Sequence, residues 1–401
     1  MESKNIGSTL KALRKAKGLT QLQLGEMLSV SDKTISKWES GQGYPEITQF
    51  PNIAKLFGVS IDYLFSGERK GIAVAGNIII DLVKNLDCYP KMGMMAYVES
   101  VEKAIGGCVS NTAMDLIKID PTLPVSAVAR VGNDENGRFA VEKLKNHGID
   151  ISGISYSSTA PTSFSDVMSV SGGERTFFHA KGANAELDPD DIDLKALNCS
   201  ILHTGYLLIL EQFDKADPEY GTRMARFLHR AQSEGIKTSV DIVSDTLADY
   251  NKIVVPALKY CNYIIVNEIE CATVYKLNPR RPDGSLNLDI LKKAMLNMAR
   301  DGVKEKVIVH SKEMGICLDV KSGVFTVVES LKIPKELIKG SVGAGDAFCA
   351  GALYGIYNEY SDEETLSFAA AAAATSLFAD NSTDGMKNKT EIEKIMEKYR
   401  G

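Results

Sequence analysis

From residue 71 onward the chain alternates short apolar segments with helical patterns, and this alternation constrains the fold more than any other feature of the sequence. Residues 72–75 are uniformly apolar and predict a buried strand. Similar apolar segments follow along the chain, with helical patterns between several of them, at 125–131, 200–203, 238–242, 263–266 and 306–309. Strands that alternate with helices form parallel sheets. We therefore expect an α/β domain over residues 71–401.

Two segments interrupt this rhythm. Residues 84–105 and 155–180 contain period-two patterns and turn signals, as in 163–168. They predict a small β lid over the ends of the strands. Near the other end of the domain, Ser361 and Glu364 have the spacing of a capping box, which predicts the start of an alanine-rich helix near 362–378.

Composition limits where such a chain resides and what it binds. No apolar run approaches the length of a membrane span, and the N-terminus lacks the apolar core of a signal peptide. We expect a cytoplasmic protein with no membrane partner. The seven cysteines are odd in number and scattered, and the five histidines form no cluster along the sequence. The pattern predicts reduced thiols and no structural zinc.

The first 68 residues predict a separate helical domain. Residues 1–70 hold ten Lys/Arg and seven Asp/Glu, a net charge of +3, whereas the remainder carries −9. This asymmetry favours a nucleic-acid partner for the head alone. Thr20 and Ser31 are suitable N-caps for two short helices. The segment 29–31 that joins these helices gives the pair helix-turn-helix proportions.

The head resembles the Cro/XRE class of helix-turn-helix domains. The resemblance rests on Leu19-Thr20-Gln21, Leu24, Leu28, Val30-Ser31 and the run 34–41, Thr-Ile-Ser-Lys-Trp-Glu-Ser-Gly. It implies that the helix near 32–39 enters the major groove of double-stranded DNA. Side chains that would face the DNA are Gln21, at a phosphate, with Asp32, Lys33, Thr34, Ser36 and Lys37. Because one copy reads a half-site, we expect a homodimer. The alternative is a helical protein-interaction module.

Residues 343–346, Gly-Ala-Gly-Asp, predict a phosphate-handling turn. Gly343 and Gly345 permit unusual backbone conformations and close approach of a ligand. The first amides of the following helix lack partners within the helix and carry partial positive charge, so this helix start suits a phosphate. Asp346 beside it is placed to accept a proton from an attacking hydroxyl. A tight turn in which Asp346 only caps the helix is the alternative.

Five ordered motifs make residues 71–385 resemble the PfkB, or ribokinase-like, sugar kinases. They are Gly106-Gly107-Cys108-Val109-Ser110-Asn111, Val131-Gly132-Asn133-Asp134 with Gly137, Glu174-Arg175-Thr176 with Gly182-Ala183-Asn184-Ala185, Asn267-Glu268-Ile269-Glu270, and the 343–346 turn. The resemblance implies a ribokinase-like parallel-sheet sandwich with a small β lid, preceded by the all-α helix-turn-helix domain. It also implies ATP-dependent phosphorylation of a sugar hydroxyl.

The same resemblance assigns roles to particular residues. Asp346 would be the base, and the backbone of Gly343, Ala344 and Gly345 would form the anion hole. Substrate contacts would come from Asp81, Gly107, Asn111 and Arg175, although Arg175 could equally be an exposed lid residue. Asn267 and Glu270 would organise Mg²⁺–ATP, with Glu270 acting on the metal through water. Ser311 would lie near the nucleotide.

Two departures from the family pattern affect these expectations. Gly340-Ser341 stands where the second signature usually begins with Asp-Thr or Asp-Ser, which argues against family-type activation by a monovalent cation. His310-Ser311-Lys312 replaces the usual Thr-x-Gly near the nucleotide. The sequence leaves three functions open: a sugar kinase fused to a DNA-binding domain, a transcription regulator whose kinase-like body only senses a sugar or sugar phosphate, and a nucleoside kinase.

Overall fold

The chain divides into two compact units. The computed structural model describes residues 6–59, 61–170, 175–243, 249–379 and 381–399. The first unit comprises Met1–Gly71 together with Asp193–Ser200, and the second comprises Ile72–Ile192 and Ile201–Gly401. Among the described residues, no helix has both the length and the apolar character that crossing a bilayer requires.

The first unit is helical. Its helices are α1 (Ile6–Ala16), α2 (Gln21–Leu28), α3 (Asp32–Glu39), α4 (Phe50–Phe57) and α5 (Ile61–Ser66), with a 3₁₀ turn at Ile47–Gln49. Both predicted N-caps are present: the hydroxyl of Thr20 accepts from the backbone N–H of Gln23, and that of Ser31 accepts from Thr34.

A small apolar core and a close turn hold α2 and α3 together. Leu24 and Ile35 are fully buried in this core, and Trp38 packs beside them. At Gly25 an added Cβ would lie 2.6 Å from the carbonyl oxygen of Val30, so only glycine allows this approach. The short segment between the two helices therefore has a fixed path, as a helix-turn-helix requires.

The second unit is an α/β domain whose elements follow in regular order. They are β1 (Ile72–Ala75), β2 (Ile79–Leu86), β3 (Val98–Gly106), α6 (Cys108–Ile119), β4 (Val125–Gly132), α7 (Glu135–Asn146), β5 (Asp150–Ser157), β6 (Phe164–Val170), β7 (Arg175–Ala180), β8 (Ile201–Leu207), β9 (Ala216–Asp217), β10 (Gly221–Thr222), α8 (Arg223–Ser233), β11 (Lys237–Ile242), α9 (Tyr250–Leu258), β12 (Tyr263–Asn267), α10 (Glu268–Thr273), α11 (Leu288–Asp301), β13 (Lys306–His310), β14 (Met314–Asp319), β15 (Phe325–Glu329), α12 (Ala344–Tyr357), α13 (Asp362–Ser376) and α14 (Lys389–Tyr399).

The main sheet has the strand order β15-β14-β13-β12-β11-β8-β1-β4-β5. The strands from β13 to β5 pair in parallel, in registers such as Ile72 with Val125 and Ile72 with Ile201. β14 and β15 extend the sheet through antiparallel pairings. Helices α6, α12 and α13 pack together on one face, whereas α8, α9 and α11 form another group of neighbours. The strands are buried and uniformly apolar because helices cover the sheet.

A second sheet corresponds to the predicted lid. Its strand order is β3-β2-β6-β7, with β2 parallel to β6 and the outer pairs antiparallel. Its strands lie within or close to the two segments that showed period-two patterns. In the main sheet, the parallel strands end at a common edge, and helices α10 and α12 begin there. In open α/β sheets, ligands bind at this carboxyl edge of the strands.

Candidate active site

The turn before α12 brings a glycine-rich backbone into a cavity. Gly343 has φ = 82°, and an added Cβ would lie 2.4 Å from the carbonyl oxygen of Ser382. Both observations require glycine at this position. Gly343, Gly345 and Asp346 line a cavity of about 300 Å³. The helix start and the acid that the sequence predicted therefore share one site.

Asp346 is buried and held by two side chains. The amide Nδ2 of Asn111 donates to Asp346 Oδ2 at 2.8 Å. The hydroxyl of Tyr206 donates to Oδ1 at 2.9 Å and to Oδ2 at 3.0 Å. Burial raises the pKa of Asp346 to about 6, while the hydrogen bonds from Asn111 and Tyr206 oppose this rise and the charge of Asp241 adds to it. A carboxyl group with this pKa is ionised at neutral pH and can accept a proton.

Asn111 is oriented by a further hydrogen bond. The hydroxyl of Ser382 donates to Asn111 Oδ1 at 2.8 Å. Because an amide oxygen accepts and an amide nitrogen donates, this contact directs Nδ2 toward Asp346. Asn111 lies in the first turns of α6, and its side chain does not cap that helix. The structure thus joins two predicted site residues, Asn111 and Asp346, that are far apart in the sequence.

Asn267 and Glu270 line the same cavity. They form a capping box at the start of α10: Glu270 N donates to Asn267 Oδ1 at 2.8 Å, and Asn267 N donates to Glu270 Oε2 at 3.0 Å. Glu270 is buried, so it is not a solvated surface residue. A buried carboxylate close to the glycine turn suits a hydrated divalent cation.

A second cavity of about 440 Å³ adjoins the first. Both are lined by His310 and Gly345, and the second is largely apolar, with Ile338, Phe348 and Leu377 among its lining residues. The ring of His310 packs 4.9 Å from that of Phe348, and burial lowers the pKa of His310 to about 4. The imidazole is therefore neutral at physiological pH and offers a flat wall to a planar ligand.

Ser311 and Ala344 also line the second cavity. The hydroxyl of Ser311 is engaged in its own turn, where it accepts from the backbone of Glu313 at 3.2 Å and of Met314 at 3.1 Å. Ser311 therefore lies where the sequence predicted, next to the nucleotide-sized cavity, but its hydroxyl group stabilises the turn.

The predicted sugar contacts lie around the first turn of α6. Asp81 is on β2, and its carboxylate packs so closely on Gly106 that an added Cβ there would lie 2.3 Å from Oδ2. Gly107 has φ = 86°, and a Cβ would meet the carbonyl oxygen of Asn77 at 2.5 Å. Neither residue lines the 300 Å³ cavity. Arg175 begins β7, and its side chain is outside the described part of the structure.

Asn184 is a supporting residue to which the sequence assigned no role of its own. Its side chain pins the segment between β1 and β2, since Nδ2 donates to the carbonyl of Ile78 at 3.0 Å and Oδ1 accepts from Ile78 N at 3.3 Å. In the sequence, the motif Gly182-Ala183-Asn184-Ala185 contributed to the resemblance to the sugar kinases, but it predicted no role for Asn184.

Sequence reasoning also missed Tyr206 and a buried polar cluster. Tyr206 has φ = 63°, which is uncommon for a residue other than glycine and is often found at functional sites. Cys108, His203 and Asp241 bring one ligand atom each to within 4.8 Å of one another. These three residues are far apart along the sequence, and the order of the strands, which spacing along the chain does not reveal, brings them together.

In the first unit, helix α3 presents the predicted DNA-facing residues. Asp32, Lys33, Ser36 and Lys37 are exposed. Thr34 is half-buried, and its hydroxyl lies 2.8 Å from that of Ser31. Ile35 and Trp38 point into the core, as predicted.

Gln21 begins α2 and takes part in a buried ionic contact. Its Nε2 donates to Glu39 Oε2 at 2.9 Å, and Glu39 also receives two hydrogen bonds from the guanidinium of Arg14. The Arg14 and Gln21 contacts oppose the burial of Glu39 and hold its pKa below the ordinary value. This network of side-chain contacts links α1, α2 and α3.

Solved structures establish the class of fold. The ribokinase of Arabidopsis thaliana complexed with ribose and ATP has a TM-score of 0.68 at 20% identity, with 82% of this chain and 99% of that chain covered. The ribokinase of Thermotoga maritima gives 0.67 at 21% identity over the same shares. A nucleoside kinase of Methanocaldococcus jannaschii gives 0.63 at 19% identity, covering 83% of this chain and all of that one. The second unit thus has the predicted ribokinase-like fold.

The sequence comparisons identify the family. The sequence model of the pfkB family carbohydrate kinases matches residues 69–389, and a helix-turn-helix family model matches residues 10–64. The chain belongs to the pfkB family of carbohydrate kinases and carries an N-terminal helix-turn-helix domain. Both resemblances stated from the sequence are confirmed.

Two relatives illustrate the two parts. The 5-dehydro-2-deoxygluconokinase of Geobacillus kaustophilus is 25% identical over 345 residues, which cover 81% of this chain and 93% of the relative. The HTH-type transcriptional activator BcrR of Enterococcus faecalis is 56% identical over 60 residues, which cover 15% of this chain and 29% of that protein.

Proposed function

We propose that this chain transfers the γ-phosphoryl group of ATP to a hydroxyl of a sugar or sugar acid, and that its helix-turn-helix domain binds a specific DNA site as a homodimer. The observation that supports the kinase most strongly is Asp346: an ionisable carboxyl group, held by Asn111 and Tyr206, at the start of a helix that begins with Gly343 and Gly345. We divide the chain into a DNA-binding part, 1–68, and a kinase part, 71–401.

In this proposal Asp346 takes the proton of the attacking hydroxyl. The hydroxyl oxygen forms a bond to the γ-phosphorus, the bond from that phosphorus to the bridging oxygen breaks, and ADP leaves. The backbone at Gly343, Ala344 and Gly345 stabilises the charge on the transferring group, because a helix start carries partial positive charge. Asp81, Gly107 and Asn111 orient the sugar, with Arg175 as a further candidate contact.

The two adjoining cavities fit ATP with a divalent cation. The apolar walls around His310 and Phe348, together with Ser311, would hold the base and ribose, and the phosphates would reach the glycine turn through the region that both cavities share. Mg²⁺ supplies charge neutralisation for the phosphates, and Asn267 and Glu270 would hold it through water. A monovalent-cation requirement is not proposed, because Gly340 stands in place of the signature acid.

The names of the curated relatives suggest the first substrate to try. Several relatives are 5-dehydro-2-deoxygluconokinases, so 5-dehydro-2-deoxygluconate heads a panel that also contains ribose, other sugars and nucleosides. ADP release with each compound would rank them. Release with a nucleoside alone would favour the nucleoside kinase, whereas binding of a sugar without ADP release would favour the sensor.

The variant Asp346→Asn tests the assigned base. Loss of a positioned base costs on the order of a hundredfold or more in turnover, while sugar and ATP should still bind, as measured by calorimetry. Asp384→Asn is the matched control, an exposed acid on the same unit. Near-normal turnover of Asp346→Asn on the best substrate would remove Asp346 as the base.

We further propose a regulatory role for the fusion, in the cytoplasm, where ATP and chromosomal DNA are both present. The alternative, a regulator that senses a sugar without turning it over, remains open and is decided by the same panel. The ionisable, buried Asp346 and the intact glycine turn favour retained catalysis over sensing alone.

A further inference from the structure

A buried group of metal-ligating side chains lies outside the roles assigned above. Cys108 is the first residue of α6, His203 is on β8 and Asp241 is on β11, and one ligand atom of each lies within 4.8 Å of the other two. Cys108 and His203 are completely buried, and Asp241 is 7% exposed. A fourth side chain, Cys349 of α12, places its Sγ 3.5 Å from His203 Nε2.

Surrounding hydrogen bonds orient the two ligands that have more than one ligating atom. His203 Nδ1 lies 3.0 Å from the hydroxyl of Ser239. A proton on Nδ1 that is donated to this hydroxyl leaves Nε2 as the lone-pair atom. Asp241 Oδ1 accepts from the backbone N–H of Tyr206, and Oδ2 lies 3.6 Å from His203 Nε2. Supporting hydrogen bonds of this kind fix the tautomer and direction of metal ligands.

Two separations, both from His203 Nε2, match those in a tetrahedral site. Bonds of roughly 2.0–2.3 Å to nitrogen, oxygen and sulfur at tetrahedral angles place ligand atoms about 3.3–3.8 Å apart. The distances from His203 Nε2 to Asp241 Oδ2 and to Cys349 Sγ, 3.6 and 3.5 Å, lie in this range. The ligand atoms of Cys108, His203 and Asp241 all lie within 4.8 Å of one another, and Cys349 is outside this group of three, so the four ligands must contract by about 1 Å or more around an ion.

We propose that Cys108, His203, Asp241 and Cys349 form a buried Zn²⁺ site. Two thiolates with one imidazole suit zinc, whereas Mg²⁺ prefers oxygen ligands and water. On binding, each thiol releases one proton to solvent, while the neutral imidazole and the ionised carboxylate bind without releasing a proton. The ion would therefore be bound by two thiolates, one carboxylate and one imidazole, four ligands that leave no open position and indicate a structural role.

Such an ion would join the two helices that carry the candidate active site. Cys108 lies three residues before Asn111 on α6, and Cys349 lies three residues after Asp346 on α12. His203 and Asp241 anchor the same ion to neighbouring strands, which pair in the main sheet. The site would therefore fix the distance between the helix starts on which the contact between Asn111 and Asp346 depends. Asp241 and Cys349 also line the 300 Å³ cavity that Glu270 lines, but the proposed zinc site does not use Glu270, to which the hydrated Mg²⁺ is assigned.

Metal content tests the proposal directly. The untagged full-length protein, produced in zinc-supplemented medium and dialysed, should contain one Zn²⁺ per chain by elemental analysis. His203→Ala and Cys108→Ala should lose the ion, because a structural zinc site needs its full ligand set. Cys317→Ala is the matched control, since Cys317 is equally buried in the same unit but distant in the sequence from the four ligands. Wild-type protein with zinc well below one equivalent, or with another ion in its place, would overturn the assignment.

Cobalt substitution tests the ligands first in the folded wild-type protein, where the presence of thiolate bands does not depend on whether variants fold. Protein loaded with Co²⁺ alone should show the visible bands of a tetrahedral ion and a near-ultraviolet thiolate charge-transfer band. Cys349→Ala should lower the charge-transfer intensity by about half, because one of two thiolates is removed. A spectrum without thiolate bands, or one that Cys349→Ala leaves unchanged, would show that these cysteines do not bind the ion together.

Discussion

Asp346 has a pKa that the surrounding residues adjust in opposite directions. Burial raises it to about 6, and the hydrogen bonds from Asn111 and Tyr206 limit the rise. A base must be ionised, so the rate of phosphoryl transfer should increase as the pH rises through about 6 and then level off. Steady-state kcat/KM measured across this range should show one ionisation on the acid side. A rate that stays constant down to pH 4 would contradict the assignment.

Tyr206→Phe should move this acid limb to higher pH. The change removes a hydroxyl that donates to both carboxylate oxygens and so stabilises the ionised form, but it keeps the ring in place. Tyr354→Phe is a suitable control, because Tyr354 belongs to α12 and donates to Asp120 rather than to Asp346. A limb that does not move, or that moves to lower pH, would show that Tyr206 does not stabilise the carboxylate.

At the scale of single residues, the sequence predicted the acid but not the partners that set its pKa. The Gly-Ala-Gly-Asp turn is a local pattern, so Asp346 could be found without the structure. Tyr206 and Ser382 belong to no motif, and they reach the site only because strand order and the loop after α13 bring them there. The Asn111 side chain could be assigned to the site, but its direct bond to Asp346 could not.

At the scale of elements, the turn before α12 depends on one left-handed glycine. Gly343→Ala should lower thermal stability and activity, because φ = 82° costs a residue with a Cβ about 1–2 kcal/mol and the Cβ would collide with Ser382. Gly148→Ala is the matched control: its φ is 84°, but nothing lies within 4 Å of the added atom. Melting temperature and turnover should both fall more in Gly343→Ala, and equal losses in the two variants would exclude a special role for the turn.

The exposed lysines of helix α3 lead to a separate prediction about DNA binding. The double variant Lys33→Ala with Lys37→Ala should bind a selected duplex more weakly. If each lysine contacts a phosphate, the slope of the logarithm of the binding constant against the logarithm of salt concentration should also fall in magnitude by about 1–2. Lys55→Ala on α4 is the control, because that lysine is also exposed but lies on a different helix. Unchanged affinity and salt dependence in the double variant would place the DNA elsewhere.

Most elements could be predicted from local patterns, and those that could not have identifiable reasons. The parallel strands other than β5, the N-cap at Thr20 and the capping box at Ser361 have strong local signals. Strands β14 and β15 were not predicted, since they follow β13 without an intervening helix and extend the sheet by antiparallel pairing. The lid was predicted from its period-two patterns. Its strand order, β3-β2-β6-β7, could not be predicted, because it depends on pairing between strands that are far apart in the sequence.

For the whole molecule, we predict that sugar binding changes DNA affinity. The first unit is continuous with the second at residues 71/72, 192/193 and 200/201. Two of these junctions lead directly into β1 and β8, and β8 carries Tyr206 to Asp346. A substrate that repositions Tyr206 would therefore act on a strand that begins at the first unit.

Titration of a selected DNA duplex with and without saturating sugar measures this coupling. Typical couplings are about 1–3 kcal/mol, which corresponds to changes of roughly 5–150-fold, and DNA should change sugar affinity by the same factor. Protein carrying Lys33→Ala and Lys37→Ala controls for effects that do not pass through DNA. Equal dissociation constants with every sugar that binds would leave two independent activities on one chain.

The segment Asp193–Ser200 also bears on how this chain could have been assembled. It lies in the middle of the kinase sequence, yet it belongs to the first unit, where Ser200 donates to the carbonyl of Gly71 at 2.9 Å from its backbone and Arg69 binds the carbonyl of Leu197. A DNA-binding domain joined only end to end would leave such a segment unaltered. Because these residues belong to the first unit, exchanging this head for one from another regulator would require redesign of residues 193–200 as well.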